Sequence, residues 1–323
     1  MRQILIRKGA KVRAVYCPEA GERRGYNRLA RRLARAERRA AAAAGVAHVA
    51  HGFVVGRSPV TCAEAHVGAA VTVSVDLAGW YDSVTADQVA AGLVAAGLPS
   101  ATARALAAAA CRTASAPSPH ADRLAPRQGL PSSPAAANLA AVAVDADVVA
   151  ALDATGLRYV YTRYADDIIV SLWDDGRPAV DSVVSLLTRV VEGVGWRLSP
   201  NKTHVQRSRA GRRVVVGVSV GPDDVRPPRA TSRRLRAASH SDPDSPRTAG
   251  LAEWCRLRRP RDCSVWADVA AILADDDDGA AVAIAADRLA DAGIDDVSEW
   301  SRSHRCPEEA GRRLRREAER KSH

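Results

Sequence analysis

Residues Leu157–Leu172, LRYVYTRYADDIIVSL, decide how this chain folds. Two arms of aromatic and β-branched residues flank Ala165-Asp166-Asp167, which predicts a hairpin with adjacent carboxylates at its centre. The arms, Tyr159–Tyr161 and Ile168–Leu172, are apolar enough to be core strands. Carboxylates in that position repel and are costly to desolvate unless a cation neutralises them. The other acidic runs, Asp174-Asp175, Asp223-Asp224, Asp275–Asp278 and Asp295-Asp296, lack such flanks and read as solvated loops or helix caps.

Working outward, Val71–Leu77 is a second β-prone run with a third carboxylate, Asp76, at its end. If the two runs pair, three carboxylates converge, as a two-ion site about 3.5–4 Å across requires. Mg²⁺ suits it: a hard cation held by a few carboxylates and completed by phosphates and water.

Gln3–Arg7 and Val12–Cys17 read as a hairpin with the basic tip Lys8-Gly9-Ala10-Lys11. Tyr26 to Ala43 reads as a helix with an apolar stripe at Leu29, Leu33 and Ala36 and arginines on its wet face. Ser58-Pro59 starts a helix over Val60–Val67, and the capping box Thr85-Ala86-Asp87-Gln88 starts one that runs to about Leu98. Ala101–Ser115, Pro134 to about Leu152 and Asp181–Val194 are further helices, and Arg123 to Ser133 is a Pro/Gly-rich loop. Trp196–Leu198 reads as a short strand, and Val205–Gln206 with Val214–Val220 as another hairpin. From Arg226 the texture changes to prolines, clustered arginines and several helices, which puts a domain boundary there.

The 323 residues amount to about two domains. Lys+Arg 47 against Asp+Glu 37 leaves +10, which suits a polyanionic partner, nucleic acid or an anionic membrane. A hydrophobic fraction of 47% excludes global disorder. Only Lys8, Lys11, Lys202 and Lys321 are lysines, so the basic charge is nearly all arginine, the mark of a GC-rich genome. A lysine kept against that bias stands out. The cysteines, Cys17, Cys62, Cys111, Cys255, Cys263 and Cys306, form no C-x-x-C, which signals neither a disulfide framework nor a zinc ribbon. His304 and Cys306 make at most half a metal site. No secretory leader is read at Met1 to Ala10, and the longest apolar run, Leu139 to Leu157, is broken by Asp145, Asp147 and Asp153. The expectation is a cytoplasmic protein with no membrane partner.

Tyr164-Ala165-Asp166-Asp167 resembles the Tyr-x-Asp-Asp motif of reverse transcriptases. Asp76-Leu77-Ala78-Gly79-Trp80-Tyr81-Asp82-Ser83-Val84 is similar to the bacterial form of their first catalytic motif. Arg127-Gln128-Gly129-Leu130-Pro131-Ser132-Ser133-Pro134 with Ala137-Asn138-Leu139, then Asn201-Lys202-Thr203, then Gly211-Arg212-Arg213 leading into Val214–Val220, resemble later blocks in the family's order. The resemblance runs from about residue 4 to 260. It implies an α+β right-hand polymerase fold, with fingers and palm over 1–225 and a helical, basic, thumb-like region over 226–323. The implied activity is RNA-directed DNA synthesis by a two-metal mechanism.

The resemblance implies a role for each matching position. Asp76, Leu77, Asp166 and Asp167 would hold two Mg²⁺, with Mn²⁺ a possible substitute. Tyr81 would fill the space of a ribose 2′-OH and favour dNTPs, unless it is a plain core aromatic. Gln128-Gly129 would let backbone approach the nucleotide, or be an ordinary turn. Arg13, with Lys8 or Lys11, would grip the triphosphate, or the hairpin tip is merely solvated. Lys202 would protonate the leaving pyrophosphate, which arginine cannot do, or be a surface lysine. The arginines at 229–236, 256–261 and 312–320 would bind template and primer backbone, or be wet helix faces.

Within the family the chain most resembles the bacterial retron-type enzymes. Their Asn-Ala-x-x-His element reads Cys62-Ala63-Glu64-Ala65-His66 here, and their Val-Thr-Gly triplet reads Val215-Val216-Gly217. These two near-matches put RNA recognition at His66, Val215 and Gly217, with Arg233 and Arg236 beyond. The retron reading implies a cognate structured non-coding RNA, priming from a guanosine 2′-OH, an RNA-linked DNA product and an effector protein in anti-phage defence. Another defence-associated reverse transcriptase, with protein-primed or untemplated synthesis, and a catalytically silent RNA-binding scaffold are the alternatives.

Overall fold

The computed structural model describes residues 2–8, 11–113 and 123–255. Contacts divide the chain into two units, one of residues 1–53 and 68–213, the other of 54–67 and 214–323.

The first unit opens with antiparallel strands β1 (Arg2–Lys8) and β2 (Lys11–Cys17), Lys8 opposite Lys11. Helix α1 (Ala20–Ala43) begins six residues before the expected start at Tyr26, because Glu19 and Glu22 close a capping box across its first turn. The second unit contributes α2 (Pro59–Glu64), with Ser58 as its cap. Strand β3 (Val71–Asp76) follows, then the short α3 (Trp80–Ser83), α4 (Ala86–Ala95) and α5 (Ser100–Ala110). The helix expected over Ala101–Ser115 stops short: Cys111 turns extended at the end of α5, and Arg112 forms a bridge with Ala125 instead of another helical turn.

Helix α6 (Ser133–Asp153) is the axis of the unit. It buries Ala137, Leu139, Ala141, Val144, Val148 and Leu152 and touches α1, α4 and α7 (Arg177–Gly193). By length and composition α6 could cross a bilayer, but most of it lies inside the protein core. It is flanked by alanine-rich helices, and small side chains let the backbones approach with few aromatics to fill space. Helix α7 starts at Arg177, four residues before Asp181, since Pro178 is well tolerated in a first turn.

Strands β4 (Tyr159–Tyr164) and β5 (Asp167–Leu172) form the hairpin expected from LRYVYTRYADDIIVSL, with Ala165 and Asp166 as its turn. The main sheet runs β4-β5-β3-β6, antiparallel throughout, and β6 is His204–Arg207. This corrects the expected 205–220 hairpin. β6 pairs with β3, Val73 opposite Val205, and covers the edge of the main sheet. A separate sheet holds β7 (Arg213–Val215), β8 (Val218–Val220) and β9 (Val225–Arg226). Strand runs this short carry no register information of their own, so a non-local partner decides. The expected strand at Trp196–Leu198 is reduced to one bridge, Leu198 to Leu77.

In the second unit α2 packs on β8 and β9, and α8 (Arg229–Ser241) lies against α9 (Pro246–Cys255). The arginine clusters 256–261 and 312–320, Cys263, His304, Cys306 and the acidic run 275–278 lie outside the described residues.

Candidate active site

The β3–β5 register places Asp76 opposite Asp167, and Asp166 precedes it in the two-residue turn. The Leu77 N–H donates to the Asp166 carbonyl at 2.9 Å, tying the two acidic segments together one residue beyond the ladder. The three aspartates separated by ninety residues of chain therefore meet at one end of one sheet. Asp76 is buried, while Asp166 and Asp167 are half-buried.

The acids feel one another. Burial, and then the charges of Asp166 and Asp76, push the Asp167 carboxyl up to about 6. Lys202 donates from Nζ to Asp76 Oδ1 at 2.5 Å, and Ser199 Oγ donates to Asp76 Oδ2 at 2.8 Å. That contact holds the Lys202 ammonium above its ordinary range. The Lys202 ammonium faces all three carboxylates, and the mutual repulsion of the acids is felt at Asp167. The hard oxygen donors of the cluster fit divalent cations. Among the described residues no three acidic, histidine or cysteine side chains stand preassembled as a ligand set; the Lys202 ammonium and the Ser199 hydroxyl hold Asp76 instead. The donors fit in chemistry and charge, with Lys202 required to yield.

A second layer lies under the turn. Ala165 has φ 57°, the left-handed region that a tight turn of this kind normally reserves for glycine. Its carbonyl accepts from Arg163 Nη1 at 3.1 Å. The same guanidinium pairs with Asp145 of α6, Nη2 to Oδ2 2.8 Å, and donates to Asn138 Oδ1 at 2.9 Å. Tyr161 Oη also donates to Asp145, at 2.6 Å. Burial alone would lower the Arg163 pKa, and the Asp145 charge more than reverses this, so the guanidinium stays charged. Asn138 Nδ2 donates to the Gly52 carbonyl at 2.8 Å. Gly52 lies so close to the turn that a Cβ there would overlap the Ala165 nitrogen. The turn is therefore clamped from below by side chains and from the side by bare backbone.

The remaining expected residues are distributed as follows. Tyr81, on α3, is half-buried beside Trp80 with ring centroids 5.3 Å apart. Burial and then the Asp166 charge push its hydroxyl up to about 12, which puts it in electrostatic reach of the acids. Gln128 and Gly129 lie against β2: the Gln128 carbonyl accepts from Tyr16 N–H at 2.8 Å, and Gly129 has φ 98° where a Cβ would strike the Tyr16 backbone. Contact with the hairpin is thus sufficient reason for that glycine. Lys8 and Arg13 lie on β1 and β2; their side chains are outside the described ones. His66 is fully buried in the second unit and has a partner there. Val215 is buried, Gly217 with Val216 forms the β7–β8 turn at positive φ, and Arg233 and Arg236 are exposed on α8.

Arg163, Asp145, Ser199 and Gly52 were given no role from sequence, nor were Asn138, Arg127 and Asp82 beyond their places in motifs. Arg127, buried, pairs with Asp82 at 2.6 Å and links the first acidic block to the Gln-Gly block. The missed signal was a charge inside an apolar pattern: Arg163 in a core arm and Asp145 in a core helix each need a buried partner.

Residues 7–232 match the reverse transcriptase (RNA-dependent DNA polymerase) family. The chain is 37% identical over 213 residues to the retron Mx162 reverse transcriptase of Myxococcus xanthus, covering 59% of this chain and 43% of that protein. It is 35% identical over 201 residues to the retron Mx65 reverse transcriptase of the same organism, covering 60% and 46%. The matches thus span about half the length of these curated relatives. Among solved structures, telomerase from Candida albicans, in complex with a fragment of telomeric RNA, superposes with a TM-score of 0.51. That match is 11% identical and covers 78% of this chain and 51% of the other, a likeness of fold alone. Motif order, the meeting of the acids and these matches agree: the chain belongs to the reverse transcriptase family, and its relatives there are of the bacterial retron type.

Proposed function

We propose that this protein is an RNA-directed DNA polymerase that extends a primer with dNTPs, copying a cognate structured RNA into RNA-linked DNA. The observation that carries the reading is the register of β3 on β5, which sets Asp76 opposite Asp167 beside Asp166. Asp76, Asp166 and Asp167, with Leu77, would hold two Mg²⁺, or Mn²⁺ in their place. Such ions supply charge neutralisation and a more acidic primer hydroxyl.

The chain's own groups do the rest. Tyr81 borders the acids where its ring excludes a ribose 2′-OH. Lys8, Arg13 and the Gln128-Gly129 backbone receive the triphosphate. Lys202, released from Asp76, keeps its ammonium close to the phosphates and hands a proton from Nζ to the departing pyrophosphate. Fingers and palm over 1–225 and a helical thumb-like region from 226 complete the reading, with Arg233 and Arg236 toward the RNA. Priming from an RNA 2′-OH and an effector partner in anti-phage defence are what the retron likeness implies, and a cytoplasmic setting is part of the same reading.

The test is incorporation of labelled dNTP on an RNA template with a DNA primer. It is expected to require Mg²⁺ and to fall by about 10³-fold or more in Asp166→Ala, about 4 kcal/mol of barrier. A second reading is favoured by the engagement of Asp76 by Lys202 and Ser199: a silent scaffold. It predicts salt-sensitive RNA binding with no incorporation by the wild-type protein on any primer.

A further inference from the structure

Helix α1 carries eight arginines against two glutamates in 24 residues. Seven of those arginines are exposed, while Glu37 is buried. Beside this ridge a groove of about 490 Å³ opens between α1 and the end of α5. Tyr26, Leu29 and Ala109 give it an apolar floor, and the guanidinium groups of Arg28, Arg32 and Arg112 line it. Arg112 is held in place: Nη1 donates to the Cys111 carbonyl at 2.8 Å, and the group lies 5.7 Å from the Tyr26 ring centroid. Glu22 is the one acid on the lining, and its Oε2 accepts from the Glu19 N–H at 3.0 Å.

The ligand chemistry follows from these walls. Three guanidiniums call for phosphate, to which they bind as planar forks. The volume lies within the roughly 300–1,000 Å³ of small-molecule sites, more than one phosphate needs, and an apolar floor does nothing for a phosphate. A carboxylate on the lining repels a bare anion but accepts from a base N–H or a 2′-OH. An unstacked base fits such a floor, and guanidinium planes stack on it. We propose that the α1–α5 groove takes one unpaired nucleotide of a structured RNA, its base on Tyr26, Leu29 and Ala109 and its phosphates on Arg28, Arg32 and Arg112. The assignment rests on RNA being the partner, not on polymerase activity, and none of its residues belongs to the acid cluster.

The experiment measures binding without dNTPs, using the full chain carrying Asp166→Asn. The probes are a short labelled RNA hairpin with one bulged nucleotide, the same hairpin fully paired, and the DNA version of the bulged hairpin. Arg28→Ala with Arg32→Ala is expected to weaken binding of the bulged RNA by about tenfold. The slope of log affinity against log salt should drop by roughly 2, about one per phosphate contact, and the preference for bulged over paired RNA should be lost. Both side chains are exposed, so the core is untouched. The control Arg189→Ala, an exposed position on α7, is expected to leave the preference in place. Unchanged slope and preference in the double variant would overturn the proposal, as would equal loss in the control or equal effects on the DNA hairpin. Because no turnover is measured, failure here and failure of the polymerase reading are separate results.

Discussion

The β4–β5 hairpin carries two charged clusters that solve burial in opposite ways. Below the turn, Arg163 and Asp145 are sealed from water at 1% and 3% exposure and satisfy each other, with Tyr161 and Asn138 taking the remaining bonds. At the turn, Lys202, 52% exposed, pairs with Asp76, while Asp167 is pushed up by the charges of Asp166 and Asp76. The first cluster is closed: removing any member orphans another. The second is open, since it gains by accepting positive charge from outside. A sheet end can therefore hold a repelling trio only because the layer beneath it is fully paired.

The comparison breaks if the two clusters respond alike to mutation. Arg163→Ala strands Asp145 and Tyr161 in the core and is expected to cost about 3–5 kcal/mol of folding stability, measured by denaturant unfolding. Asp166→Ala should instead leave the metal-free protein as stable as wild type or more so, while abolishing incorporation. Equal destabilisation by both would mean that the acids are as integral to the fold as the ion pair.

A smaller effect is expected where the clusters join. Gly52→Ala places a methyl against the Ala165 nitrogen and must move the turn. Steady-state kinetics should show kcat reduced, by up to about 10²-fold for a displacement near 1 Å, with KM for dNTP little changed. A reduction confined to KM would disconnect the clamp from the acids.

The smallest effect tests the open cluster by pH. Asp167 titrates near 3.8 unfolded and is pushed up to about 6 in the fold. Its contribution to stability is therefore fully present below pH 3.8 and is lost as pH rises through 6. Without metal, Asp167→Asn should match wild type at the acid end and exceed it in stability above pH 6. Added Mg²⁺ should narrow or reverse that gap, because ligand binding stabilises only the form that holds it. Thermal melts across pH, with and without Mg²⁺, read both. A difference independent of pH would show that Asp167 does not feel its neighbours.

Much of this was legible beforehand because it is local. The alternating arms around Ala165-Asp166-Asp167 specify a hairpin by period alone, and Thr85 with Gln88 specifies a helix start by two reciprocal hydrogen bonds. The misplacement of β6 has the opposite cause. His204–Arg207 has four residues and no distinctive pattern, so only the open edge of β3 could say where it goes. Gly52 was silent for a similar reason: its partner is a backbone 113 positions away, and no sequence pattern announces a close approach.

The chain alone determined that three aspartates lie at the ends of β-prone runs or in the turn of a hairpin, because alternation and turn chemistry are encoded within a few residues. It likewise determined the basic surplus and the order of motifs. Tertiary structure alone decided that Arg163 and Asp145 meet, that Lys202 rests on Asp76, and that His66 is buried away from solvent. Those facts depend on which surfaces the packed helices bring within a few ångströms, and burial strengthens or forbids a charge only after that packing exists.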